Sequence, residues 1–435
     1  MFCFRKFFSQ QVLPVLLAAT LTITSACSQS ALKETSPESA GFSSARLKGI
    51  DSLVQVYIDS NYIEGATALI AKDGKIVYYK GIGVENLKTK ERMKRDEIFR
   101  IASQTKAITC VAIMILMDEG KLKLDDPISK YIAEFKNQVV LDSFHAADTT
   151  YTTVPVKRDI TIRDLMTHTS GIDYAQIGSD AAVAIYAKNG IPGGLGVVNT
   201  SLADKMRLLG KMPLLHQPGE KWTYGLNMDL LGYLIEVIGG MPLDQFFLRK
   251  IFTPLGMTDT WFYLPENKYN RLVALATEDT TGHVLAAMDT TELNGMFNNN
   301  YPASKGTYFS GGGGLSSTVY DYAVFLQMLL NKGTYNGKRI LKPESVAMMS
   351  TDQIPGIPFG ESRFGLGFSI ATKESQASSP LPAGSYGWGG FFSTTYWVDP
   401  STGIVGVFYL NQFPNSHREI HVKFQQLVYN ALIKK

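Results

Sequence analysis

The sequence predicts an α+β chain: an antiparallel sheet flanked by helices and built from both termini, beside a helical lobe made from the middle. Three observations predict it. Residues 67–79 near one end, and 393–398 and 404–410 near the other, are β-rich. Between about 120 and 350 the apolar residues recur at helical spacing, joined by Pro/Gly turns. The run 101–116 is apolar nearly all round, the mark of a buried helix. Strands at both ends with helices between close into one sheet.

The elements follow in order. Ser43 or Ser44 caps a helix carried by Leu47, Ile50, Leu53, Val54 and Tyr57. Asp73-Gly74 splits the first β-rich run into a hairpin. Thr161 caps a short helix through Met166; 227–239, 242–251 and 318–330 are further helices. Asp399 to Gly403 is a turn between the last strands, and 416–433 is a final helix.

The 435 residues are 45% hydrophobic and carry a net charge of +3. That is ample core material, with no basic stripe for nucleic acid. The N-terminus reads as an export signal over 1–26: Arg5 and Lys6, an apolar run over 12–23, then small residues before Cys27. Cys27 is placed as a lipid-attachment residue, which makes the membrane a partner through an N-terminal anchor and the location an exported bacterial envelope. Residues 27–42 are expected to be a tether. The cysteines are Cys3, Cys27 and Cys110, so a disulfide framework within the body is excluded; Cys110 reads as a small buried hydrophobe.

Chemistry concentrates at Ser103-Gln104-Thr105-Lys106, polar residues that open the apolar helix. Positions three apart share a helix face. Burial and the helix N-terminus both disfavour an ammonium, so Lys106 is expected to be a depressed lysine able to take the Ser103 proton. A second Ser-x-x-Lys, Ser30 to Lys33, falls in the polar tether.

The stretch 99–130, with Ser-x-x-Lys leading a long apolar helix and then GKLKLDDP at 120–127, resembles the β-lactamase-like family of class C β-lactamases, DD-peptidases and esterases. So do 160–171 (ITIRDLMTHTSG), 217–224 (QPGEKWTY) and 313–318 (GGLSST), in the same order. The resemblance covers about 40–430. It implies a hydrolase domain over 43–435, with a mixed lobe (about 43–105 and 360–435), an all-helical lobe (about 106–359) and a site in the cleft between. It also implies catalysis by a serine acyl-enzyme, with Ser103, Lys106 and Tyr224 catalytic and no cofactor or metal. Whether Lys106 or Tyr224 is the primary base stays open.

The family's Tyr-x-Asn motif is matched at Tyr224, but Leu226 stands where the asparagine belongs and Asn227 follows one residue late. In place of Lys-Thr-Gly the chain has Trp388-Gly389-Gly390, which resembles the esterase branch. The resemblance makes the backbone amides of Ser103 and Phe391 the oxyanion hole, with Trp388, Gly389, Gly390 and Leu226 at the substrate. An aromatic in place of a cation favours a neutral acyl group, hence a small ester over a lactam or peptide substrate. A β-lactamase, a D-amino-acid peptidase and a non-catalytic envelope binding protein are the alternatives. His417 and His421 are read as surface histidines, His168 as structural, and Gly311 to Gly314 as close packing.

Overall fold

The computed structural model describes residues 1–2, 31–292 and 296–433. The apolar run expected to be an export signal and Cys27 lie outside the described residues.

An eight-stranded sheet carries the fold. Its strands are β1 (Lys33–Glu34), β2 (Gly65–Lys72), β3 (Lys75–Gly83), β4 (Arg363–Phe364), β5 (Ser369–Ile370), β6 (Tyr386–Gly390), β7 (Thr394–Asp399) and β8 (Ile404–Tyr409), in the order β1-β3-β2-β8-β7-β6-β5-β4. All pairs are antiparallel except the short β1–β3 contact. The two chain ends meet at β2 and β8, where Val405 faces Ala71.

Both strands are buried along their whole length except Lys72, because the sheet is covered on both faces. Side chains alternate between two cores. Ile70, Ile404 and Phe408 point toward α1 (Ser44–Asp59) and the C-terminal helix Glu419–Asn430, with Leu47, Val54 and Phe424. Leu69, Val405, Val407 and Tyr409 point the other way, toward helix Val319–Leu330 and the larger core. Gly406 pairs with Trp397, whose buried indole occupies the space a side chain at 406 would need. The β2–β3 hairpin turns at Asp73 and Gly74, φ +50° and +80°, as the sequence required.

The second lobe surrounds α2 (Thr105–Asp118), in which every residue from Thr105 to Leu116 is buried. Against it packs α3 (Asn227–Gly239). Three expectations change here. Helix Val319–Leu330 packs on the sheet rather than in the helical lobe. That lobe also carries two-stranded ribbons, Val139–His145 with Thr150–Pro155 among them; their Thr, Tyr and Val content was the available sign. The tether is shorter than 27–42, since Leu32 and Phe42 are buried and Lys33–Glu34 joins the sheet.

Helix Ile162–Met166 leads into His168 and starts with a capping box between Thr161 and Asp164. The Asp164 carboxylate also accepts from Arg158, at 2.6 and 2.9 Å, and from Thr169. Asp164→Ala removes the carboxylate half of the capping box, the acceptor of the Thr161 amide, and takes the carboxylate from Arg158 and Thr169. A loss of about 2–3 kcal/mol of stability is expected, measured by denaturant unfolding.

Candidate active site

Ser103 sits on a 3-10 turn, Ala102–Gln104, that feeds α2, rather than on the α-helix itself. Ala102 has φ +42°, a left-handed conformation that costs a non-glycine residue about 1–2 kcal/mol. Surrounding bonds hold the turn in place. The Ile101 amide donates to Leu315 C=O at 3.1 Å, and the Tyr322 hydroxyl donates to Gln104 C=O at 2.9 Å. From the last strand, the Tyr409 hydroxyl donates to Gln104 Oε1 at 2.7 Å. Beneath it the buried Arg100 guanidinium donates to the Asn299 and Val273 carbonyls.

Lys106 lies one turn on, 2% exposed. Its amine donates to Gly312 C=O at 2.6 Å, Tyr174 Oη at 3.0 Å and Ser103 Oγ at 3.2 Å. This corrects the expected depressed lysine. Burial pulls the ammonium down, but the Tyr174 and Tyr224 oxygens more than offset it, and the net direction is up. Lys106 is a buried cation whose three donors are all used.

The Tyr224 hydroxyl donates to Ser103 Oγ at 2.7 Å, and the Trp388 indole N–H reaches Tyr224 Oη at 3.4 Å. The Tyr224 ring packs against Trp222, stacked at 5.8 Å, and His168, at 4.9 Å, and these two rings also meet each other edge-on at 5.8 Å. Burial holds the His168 imidazole well below its ordinary value, so it is neutral. Its Nδ1 pairs with the Asn227 amide at 3.0 Å. Structural packing of Tyr224 is the role this geometry gives His168, as expected.

Asn227 begins α3, as expected, and its buried amide also bonds Ser170. Leu226 is a correction. It is 0% exposed and part of the main core, so it does not border the cleft; an apolar side chain at a helix start goes inward. Trp388, Gly389 and Gly390 lie on β6, and Trp388 stacks on Phe359. A Cβ at Gly390 would stand 2.5 Å from Ile101 C=O, so glycine lets this strand close against the Ser103 turn. Of residues 388–391, Phe391 lines the cleft.

That cleft, open to solvent, spans about 460 Å³ and is bordered by Ser103, Tyr224 and Tyr174. Ile177, Leu195 and Phe391 make its apolar wall, and among the described residues no Lys, Arg or His lines it. Tyr174 and Asp229 were not singled out from sequence, and Gly312 stood only within a run read as close packing. Asp229 had a sign: an acid set among apolar residues in the first turn of the helix, and the structure leaves it 1% exposed. Tyr174 stands three residues past the 160–171 stretch and carries no sign of its own.

The remaining expectations divide. Cys110 is buried and its thiol pushed up by burial. The Gly311 to Gly314 segment is close packing, with Gly311 against the Met228 carbonyl. His417 and His421 are not open surface groups: His417 stacks on Tyr62 at 3.6 Å, and His421 packs on Phe408 with its imidazole lowered to about 4 by burial. Among the described residues no cluster of metal-ligating side chains occurs. Nor is any described helix long and apolar enough to cross a membrane.

Burial pushes Asp229 up from 3.8 to about 6, against the pull of Ser310 and Lys106. A raised carboxyl contributes stability that is full below 3.8 and lost as pH rises through about 6. That difference is worth about 3 kcal/mol. Asp229→Asn is therefore expected to melt higher than wild type at pH 8, with the gain vanishing near pH 4, in thermal scans across that range.

A family model described as Beta-lactamase matches residues 50–429. The chain is 30% identical over 403 residues to a putative D-alanyl-D-alanine carboxypeptidase of Escherichia coli O157:H7, covering 88% of this chain and 86% of that one. It is 28% identical to esterase EstB of Burkholderia gladioli, covering 82% and 88%. Among solved structures, EstCE1, a hydrolase with promiscuous acyltransferase activity, matches with a TM-score of 0.76 at 26% identity, over 88% of this chain and 99% of that one. The simvastatin synthase LovD of Aspergillus terreus shares the fold, with a TM-score of 0.74 at 22% identity over 89% and 98%. With the match running from α1 to the C-terminal helix, the chain belongs to the β-lactamase family of serine hydrolases.

Proposed function

We propose that this protein hydrolyses carboxylic esters through an acyl-enzyme on Ser103. One observation carries the reading: Ser103 Oγ is held by both Tyr224, at 2.7 Å, and the Lys106 cation, at 3.2 Å, at the mouth of a cleft without basic residues.

Ser103 Oγ attacks the ester carbonyl carbon. Its proton passes to Tyr224 Oη as Tyr224 gives its own proton to the leaving alkoxide. The carbonyl π electrons move to oxygen and return as the C–O bond to the alcohol breaks. Lys106, already charged, does not take the proton; it stabilises the negative charge that builds on the oxygens it faces. The backbone amides of Ser103 and Phe391 serve as oxyanion donors, and both residues border the cleft. Water then repeats the relay in reverse to release the acid.

Several features favour an ester over a β-lactam or a peptidoglycan stem. Those substrates carry carboxylates, and no Lys, Arg or His lines the cleft to meet one. Trp388 replaces the family's lysine, and Asn227 is turned into the core against His168. The esterase EstB and the hydrolase EstCE1 among the similar proteins support the same choice. The export signal and Cys27 support an envelope lipoprotein; metabolic palmitate label that appears on the protein and disappears in Cys27→Ala is the expected result.

Residues 28–435 are expected to hydrolyse p-nitrophenyl butyrate faster than a chromogenic cephalosporin. Ser103→Ala should lose about a thousandfold or more in kcat, and Tyr224→Phe about a hundredfold or more. Because Lys106 stays charged, kcat/KM should show no lysine ionisation between pH 7 and 9. A faster cephalosporin overturns the ester preference. Failure of the folded protein to react with a fluorophosphonate probe would favour a non-catalytic binding role.

A further inference from the structure

Among the described residues Asp229 is the one carboxylate in the wall of the cleft, set in the first turn of α3, and the proton relay does not use it. Its side chain is 1% exposed, and neither carboxylate oxygen has a hydrogen-bond partner. The Ser310 and Tyr308 hydroxyls and the Gly312 amide are near enough to favour its charged form, but none completes a bond. Buried carboxylates are ordinarily closed by donors, since an oxygen taken from water without one is costly.

The backbone around this carboxylate is cut back. A Cβ at Gly312 would stand 2.5 Å from Asp229 Oδ2, and one at Gly194 would stand 3.4 Å from it. Both glycines line the cleft, so on these two sides backbone without a side chain lies beside the carboxylate. The remaining wall is apolar at Ile177, Leu195 and Phe391 and holds no cation to pair with an acid. A small cleft that starts at Ser103, is greasy along its side and has in its wall a buried carboxylate with no completed hydrogen bond is complementary to a substrate that brings its own donor.

We propose that Asp229 selects acyl groups carrying a hydrogen-bond donor, a hydroxyl or an ammonium, beyond the ester carbonyl. This rests on the ester-hydrolase reading and narrows its substrate class. A plain alkyl acyl group would leave the carboxylate unmet, whereas a donor-bearing one forms a charge-assisted bond in a dry site. Asp229 is then a specificity residue, distinct from the proton-moving pair.

The test compares ethyl butyrate, ethyl 3-hydroxybutyrate and ethyl 3-aminobutyrate by proton release, in wild type, Asp229→Asn and Asp229→Ala. Wild type should prefer at least one donor-bearing ester over ethyl butyrate by about tenfold or more in kcat/KM. Which ester it prefers separates the hydroxyl from the ammonium. Asp229→Asn should abolish an ammonium preference and reduce a hydroxyl preference, because charge assistance is gone; Asp229→Ala should remove either. A wild-type ratio near one for both donor esters, or a ratio unchanged in Asp229→Asn, overturns the proposal even if the alanine variant does not fold. Calorimetric binding of the same esters to Ser103→Ala makes the comparison without turnover. Tighter binding of a donor ester there, with no ester hydrolysed by wild type, defeats the ester-hydrolase reading alone. Equal binding of all three defeats the role given to Asp229.

Discussion

A lysine ammonium with almost no exposure, bonded on all three of its protons, is the constraint around which the site is arranged. An unpaired charge at that depth would be prohibitively costly. The structure meets the cost with a backbone carbonyl, a tyrosine and a serine drawn from three separate parts of the chain. Each acceptor is fixed for its own local reason. Gly312 lies in a glycine run pressed against α3, Tyr174 follows the segment that Asn227 secures, and Ser103 rides a strained turn clamped from above and below. Moving any of them strands the cation, so the geometry of the serine hydroxyl is set by the solvation of the lysine.

The same constraint explains which parts of the site were legible in sequence. Ser103, Lys106 and Tyr224 stand in recognisable stretches and meet in space as the spacing and the resemblance implied. The charge of Lys106 was not legible. Burial and a helix terminus argue for a neutral amine, and the groups that reverse this are Tyr174, 68 residues away in sequence, and the still more distant Tyr224. Leu226 shows the complementary limit. Its place in a motif suggested contact with substrate, yet it follows the ordinary rule for an apolar residue at a helix start and turns inward.

Much of the fold could be read because local signals and tertiary demands agree. The Asp73-Gly74 turn, the Thr161 and Thr318 caps and the unbroken apolar strands each state locally what the sheet and helices need globally. The ribbon Val139–His145 with Thr150–Pro155 escaped because its second strand is fully exposed, so no buried face marks it with an apolar pattern. The placement of Val319–Leu330 escaped for a different reason. An amphipathic helix announces that it has a partner, not which one.

The meeting of β2 with β8 has a consequence in time as well as in space. Val405 pairs with Ala71 across most of the chain, and Tyr409, on the same last strand, braces the turn that presents Ser103. A topology dominated by such distant pairings closes late and slowly. An emerging polypeptide that already contains Ser103, Lys106 and Tyr224 still lacks the strand that holds them in register. The chain thus carries its reactive groups through synthesis unassembled, and the site is braced only once strand Ile404–Tyr409 has emerged and paired.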